Sequence, residues 1–112
     1  VPNSAITVSG SITGLTSGTF SLSVPQIVGT QATGPREATA IATNTSVTIP
    51  SGAVAVVIVP PAGNTNTITA KGASGDTGII IHLTYPTVIA LGSSATLVLN
   101  ASSATNLDLI WC

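Results

Sequence analysis

Three places in this 112-residue chain carry side chains that could do acid–base, nucleophilic or metal chemistry. They are the triplet Asp76-Thr77-Gly78, the one imidazole, His82, and the one thiol, Cys112. A carboxylate becomes a useful general acid or base when burial beside a second carboxylate makes the two share a proton. An imidazole becomes a base when a nucleophile sits within hydrogen-bond reach and an acid orients the ring. Thiol and imidazole together can bind zinc, but that ion takes three or four protein ligands.

None of the three sites has the surroundings its chemistry requires. Asp-Thr-Gly is the triplet of aspartic proteases, some of which have chains of similar length and complete the acid pair by dimerising. In those enzymes an apolar strand leads into the triplet and buries the carboxylate. Here Ala73-Ser74-Gly75 precedes Asp76 and the apolar run follows it, so Asp76 is expected at a solvated turn, where Asp beside Gly is a common choice. A dimeric aspartic protease through Asp76-Thr77-Gly78 is therefore kept only as an alternative. His82 lies between Ile81 and Leu83, so its ring is expected to point away from their face, toward solvent or an interface. No Gly-Xaa-Ser-Xaa-Gly elbow accompanies it. For a metal, His82 and Cys112 are the only soft ligands, and Glu37, Asp76 and Asp108 are far apart in sequence. The reading is of a chain that is not an enzyme, with no catalytic residue, no cofactor and no metal site within one subunit. The one arrangement left open is a metal shared across a symmetry axis.

What the chain lacks is more telling. Its formal charges are Arg36, Glu37, Lys71, Asp76 and Asp108, a charged fraction of 4% with net charge −1. Ordinary soluble domains carry roughly 25%. Two cations cannot make a phosphate-neutralising footprint, which argues against nucleic acid as a partner. The longest apolar run, 53–59, has seven residues. A bilayer-spanning helix needs ~18, which argues against a membrane. The opening Val-Pro-Asn-Ser has neither the basic nor the apolar region of a signal peptide. Near-zero net charge favours association, and a Thr/Ser surface is cheap to desolvate because no ion is stripped of water. A homo-oligomer, or a subunit bound into a larger body, is the expected state. Cys112 has no partner within the chain, so no disulfide framework exists; the thiol is free or bridges subunits. Asn44-Thr45-Ser46 and Asn100-Ala101-Ser102 match a glycosylation sequon, as chance allows in a Thr- and Ser-rich chain.

The elements that must hold these residues are strands. Apolar residues alternate with period two in Phe20–Val24, Val47–Ile49, Ile79–Leu83 and Leu107–Trp111, and no helical periodicity appears. Strands are expected at about 5–8, 19–24, 38–43, 45–49, 53–59, 66–70, 79–83, 88–91, 95–99 and 106–111. Pro25, Pro50, Pro60, Pro61 and Pro86 fall at run ends, where they least disturb a ladder. The run 53–59 is apolar on both faces, as in a covered central strand. Ser51-Gly52 is the best hairpin turn, and Tyr85-Pro86 is a place for a cis bond. The spacing gives one all-β domain, an antiparallel β-sandwich of about 8–10 short strands, at 18–112. Residues 1–17 are expected to be a Ser/Gly/Thr-rich arm or edge strand that orders on a neighbour. Gly29 to Glu37 reads as a long exposed loop, and its Arg36 and Glu37 are candidate interface residues. Trp111 is expected to plug the end of the core, with an intersubunit anchor as its other role.

Ile58-Val59-Pro60-Pro61-Ala62-Gly63-Asn64, the segment Gly75 to Thr87, and the close Leu109-Ile110-Trp111 together resemble small β-rich virion proteins of tailed bacteriophages. The resemblance covers about residues 45–112. It implies a β-sandwich or jelly-roll subunit, often trimeric, located in the virion on the capsid surface. There it would bind the major capsid protein as a decoration (cement) protein and stabilise the lattice. A tail, baseplate or fibre component is the alternative within the same class, and a small lectin or adhesin is the alternative outside it. The resemblance transfers no catalytic residue.

Overall fold

The computed structural model describes residues 3–7, 9–15, 18–23, 27–30 and 36–112. Those residues form strands and turns with no helix. The first four strands are β1 (Asn3–Ile6), β2 (Ser9–Leu15), β3 (Gly18–Ser23) and β4 (Ile27–Thr30). They pair as nested antiparallel partners, β2 with β3 (Ile12↔Phe20 to Ser9↔Ser23) and β1 with β4 (Ile6↔Ile27 to Asn3↔Thr30), the outer pair one residue out of step with the inner. The division expected between residues 17 and 18 thus falls between two paired strands. β2 and β4 are strands the alternation did not foresee. Ser9 to Leu15 holds only two apolar residues and Ile27–Thr30 only two, so each takes its form from its partner's ladder rather than from its own pattern.

The remaining eight strands build the sandwich. They are β5 (Arg36–Ile41), β6 (Thr45–Val47), β7 (Ala55–Val59), β8 (Ile68–Lys71), β9 (Ile79–Ile81), β10 (Thr87–Ala90), β11 (Leu97–Ala101) and β12 (Thr105–Trp111). One sheet has the order β10-β7-β12-β5 and the other β6-β11-β8-β9, every pairing antiparallel. Chain-consecutive strands occupy matched places in the two sheets, which is the jelly-roll order: an eight-stranded double sheet of two Greek keys. The three-residue link from β5 to β6 reaches little farther than the ~10 Å between packed sheets. β5 and β6 therefore close one long edge, and β10 and β9, joined by residues 82–86, close the other.

Period-two alternation places the core. Along β12, Thr105, Leu107, Leu109 and Trp111 turn inward and Asn106, Asp108 and Ile110 outward. Val56 and Ile58 of β7 meet them, and Ile68, Ile81, Leu97, Leu99 and Ala101 come from the facing sheet, with Ile41 completing the cluster. Each large apolar side chain fully buried there is worth about 1.5–3 kcal/mol. Val57 and Val59, on the other face of β7, are half-buried, so this central strand is covered more on one side than on the other.

The expected hairpin at Ser51-Gly52 is corrected. Ala53 N–H donates to the Pro50 carbonyl (3.1 Å) and Gly52 has φ 87°, so the turn is tight. Its flanking strands nevertheless enter different sheets, β6 beside β11 and β7 between β10 and β12. Both flanks are apolar, and the chain buries both by crossing between layers rather than by pairing them. The Tyr85-Pro86 bond is trans, as are the other described peptide bonds.

Candidate functional site

Asp76 and His82 are each bound into their own turn. The Asp76 N–H donates to the Ala73 carbonyl (3.1 Å), and its Oδ2 accepts the Ala73 N–H (2.8 Å). This reciprocal pair closes the loop between β8 and β9, and Asp76 stays exposed there, as its solvated-turn reading expects. The third residue of the triplet has a different task. Gly78 has φ 76°, and a Cβ on it would lie 2.6 Å from the Ala70 carbonyl oxygen and 2.8 Å from Thr69 Cγ2. Only a residue without a side chain lets the chain enter β9 this close to β8.

β9 ends at Ile81 because His82 starts a turn. Its Nδ1 accepts the main-chain N–H groups of Thr84 (3.1 Å) and Tyr85 (2.9 Å), which places the ring proton of the neutral form on Nε2. The ring stacks on Tyr85, centroids 4.0 Å apart and planes 5° from parallel. Asn64, buried in the loop between β7 and β8, holds this turn from beneath. Its amide donates to the carbonyls of Leu83 (2.8 Å) and Asn66 (3.0 Å), and its Oδ1 accepts the Asn66 N–H (3.1 Å). The 82–85 turn is thus a rigid feature that presents its side chains outward.

Two of those side chains, Leu83 and Tyr85, belong with other exposed apolar residues nearby in the chain. Among the described residues the exposed large hydrophobics are Val54, Ile79, Ile80, Leu83, Tyr85 and Val88. All but Val54 fall within residues 79–88, in β9, the link after it and the start of β10. Ile79 is 72% exposed, Ile80 70% and Tyr85 68%. Sequence alternation puts Ile79 and Ile81 on one face, and the buried Ile81 does face the core. Ile79 does not reach it, because it sits at the start of an edge strand. Nothing in the sequence marks this edge except three consecutive isoleucines behind a glycine, a run that reads equally well as buried.

The other residues singled out from the sequence are dispersed. Arg36 and Glu37 are corrected from loop to strand: they open β5 and pair with Ile110 and Leu109 of β12. β12 pairs with β5 at six positions, and this main-chain ladder overrides a local sequence that reads as a connection. Their side chains, and residues 31–35 of the expected loop, lie outside what the structure describes. Trp111 is fully enclosed in the subunit's own core and inward on β12, as its core-plug reading expects, and it offers no exposed surface for its other role as an intersubunit anchor. Cys112 is also buried, and burial pushes its thiol up from the ordinary value. That burial withdraws it from the bridging role. Asn44 and Asn100 do come together across 56 residues: Asn44 N–H donates to Asn100 Oδ1 (3.1 Å), and Lys71 Nζ donates to Asn44 Oδ1 (2.9 Å). Among the described residues, no three His, Cys, Asp or Glu side chains gather in one place.

Two shallow clefts of mixed polar and apolar lining open at the end of the sandwich where the β6–β7 and β10–β11 links lie. One, of about 310 Å³, is lined by Val47, Ile49 and Leu97 among others. The other, of about 430 Å³, is lined by Ile49, Pro50, Ala53, Val54 and Leu91 among others. Neither contains Asp76, His82 or Cys112. Compared with protein-family models, curated proteins and solved structures, the chain matches none.

Proposed function

We propose that this protein is a virion structural protein, a decoration subunit that binds the major capsid protein on the outer capsid lattice and stabilises it. The observation that carries the reading is the concentration of exposed apolar side chains on one edge of a jelly roll with almost no charge. Exposed apolar side chains concentrated along one edge favour contact with another protein. Its scarcity of ions lets many copies crowd on a lattice without mutual repulsion. The jelly roll is also used by many viral capsid proteins, a fold-level analogy only. Among the described residues β1–β4 pair with no strand of the sandwich, which suits a ribbon that grips a neighbour. Mixing the purified chain with undecorated phage capsids tests the reading. Saturating, stoichiometric uptake is expected, and its absence rejects a capsid role.

Tyr85 favours one second reading, a sugar-binding module. Its ring is held rigidly on His82 and is largely exposed, as an aromatic platform for a sugar would be. Saturable binding to one glycan on an array, lost in Tyr85→Ala, is the result that would support this reading over the first.

A further inference from the structure

We propose that His82 makes the 82–85 turn a pH-sensitive clasp, closed while the imidazole is neutral and loosened when it takes up a proton. Acid then releases the exposed Leu83 and Tyr85 from their fixed positions. The device concerns how these side chains are presented and does not depend on which partner they meet.

The acceptor that closes this turn is a nitrogen that can itself be protonated. His82 Nδ1 receives the main-chain N–H groups of Thr84 at 3.1 Å and Tyr85 at 2.9 Å, two and three residues further on. Side-chain oxygens of Asn, Asp, Ser and Thr are the usual acceptors in such places. Asn64 Oδ1 and Asp76 Oδ2 do this work in the loops on either side of β8. An amide oxygen keeps its lone pairs at any physiological pH. An imidazolium has a proton on both ring nitrogens and is a donor only. Neither rotation of the protonated ring restores an acceptor, so both main-chain bonds are lost together.

No charge compensates among the described residues. The contacts of His82 lie inside its own turn: the two N–H groups, Thr84 Oγ1 at 3.5 Å, and the stacked Tyr85 ring. The β7–β8 loop beneath the turn, residues 60–67, holds no titratable side chain, nor does the rest of β9 or β10. Lys71, at the end of β8, is engaged with Asn44, and Asp76 with the Ala73 N–H. An imidazolium is still attracted to an aromatic face, so the stack persists while the main-chain bonds go. The Asn64 amide on the Leu83 carbonyl then remains to tether the segment, and the turn loosens without unfolding the sandwich. The closed turn is thus favoured at high pH and weakens as the pH falls from about 8 to 5. Any contact made through Leu83 and Tyr85 weakens in the same direction, because loosened residues must be ordered again on binding.

Amide exchange followed by NMR on the full chain tests the clasp, each rate taken relative to that of an unstructured chain at the same pH. In the wild type, protection at Thr84 and Tyr85 is expected to fall at least about fivefold between about pH 8 and pH 5, with β7 and β12 unchanged. The midpoint of that fall should coincide with the titration of the His82 ring protons. His82→Asn sets a non-titrating oxygen near the acceptor position and is expected to protect both amides at both pH values. His82→Ala removes the acceptor and is expected to leave them equally unprotected at both. Wild-type protection that ignores pH, a midpoint apart from that of the ring, or an equal fall in His82→Asn overturns the proposal. If circular dichroism shows that a variant does not fold, the wild-type fall and its coincidence with the ring titration decide alone. The readout needs no capsid, so its failure leaves the decoration role standing, and failed capsid uptake leaves the clasp standing.

Discussion

The segments Ala55–Val59 and Ile79–Ile81 are alike in composition and opposite in fate. Both are unbroken runs of small or β-branched apolar residues bounded by turn signals. The first lies between β10 and β12, and its Val56 and Ile58 are fully enclosed in the core. The second closes the edge of its sheet, and two of its three isoleucines are mostly in solvent. A strand's own sequence states that it wants burial. Its place in the sheet order decides how much the subunit alone provides, and the shortfall at β9 is what a neighbour can supply.

The sharpest test of this contrast is equal truncation in the two runs. Ile58→Ala is expected to cost about 2–5 kcal/mol in denaturant unfolding, because it removes buried methyl groups and leaves a cavity. Ile80→Ala, measured at concentrations where the chain is monomeric, is expected to cost under about 1 kcal/mol, as a change at an exposed edge. Equal losses would break the comparison. Gly78→Ala comes next, at about 3 kcal/mol. The positive φ alone costs about 1–2 kcal/mol, and the added methyl must displace the Ala70 carbonyl. The same change at Gly75, where a Cβ meets nothing within 4 Å, is expected to have little effect on the melting temperature.

Asn64→Ala is expected to cost about 1–3 kcal/mol by leaving the carbonyls of Leu83 and Asn66 without their donor. Faster amide exchange at Thr84 and Tyr85, with β7 unchanged, would show that this side chain holds the edge's loop and not the central strand. The smallest effect belongs to Cys112. Burial raises its thiol, so above the ordinary thiol range the unfolded chain gives up a proton that the folded chain keeps. Stability is then flat below about pH 8 and declines as pH rises through the ordinary thiol value and above. Unfolding midpoints of wild type against Cys112→Ala across that range isolate the slope, and a thiol reagent should label the native chain far more slowly than the unfolded one.

Much of the fold was legible in the alternation of residues such as Leu107, Leu109 and Trp111, because a half-buried strand must repeat its apolar side chains every second residue. The ten expected strands correspond to ten of the twelve found among the described residues, with ends displaced by two residues or less. β2 and β4 escaped because their form comes from pairing with β3 and β1, which local composition does not encode. Arg36 and Glu37 escaped as strand residues for the same reason, with β12 as the template. Of the candidate site, Asp76's solvated turn and the outward-pointing His82 could be anticipated from neighbouring residues. The clamp by Asn64, 19 residues from Leu83, could not.

The sequence by itself determined an all-β domain almost free of charge, with a core on alternate positions of its strands, since these follow from periodicity and composition. Only the tertiary structure decided which strands are central and which are edges. It alone closed Ser51-Gly52 into a crossover between sheets, and it left Ile79 and Ile80 uncovered while enclosing Trp111. The reason is physical: burial is a property of what lies on the other side of a residue, and in a Greek-key sheet that neighbour comes from a distant part of the chain.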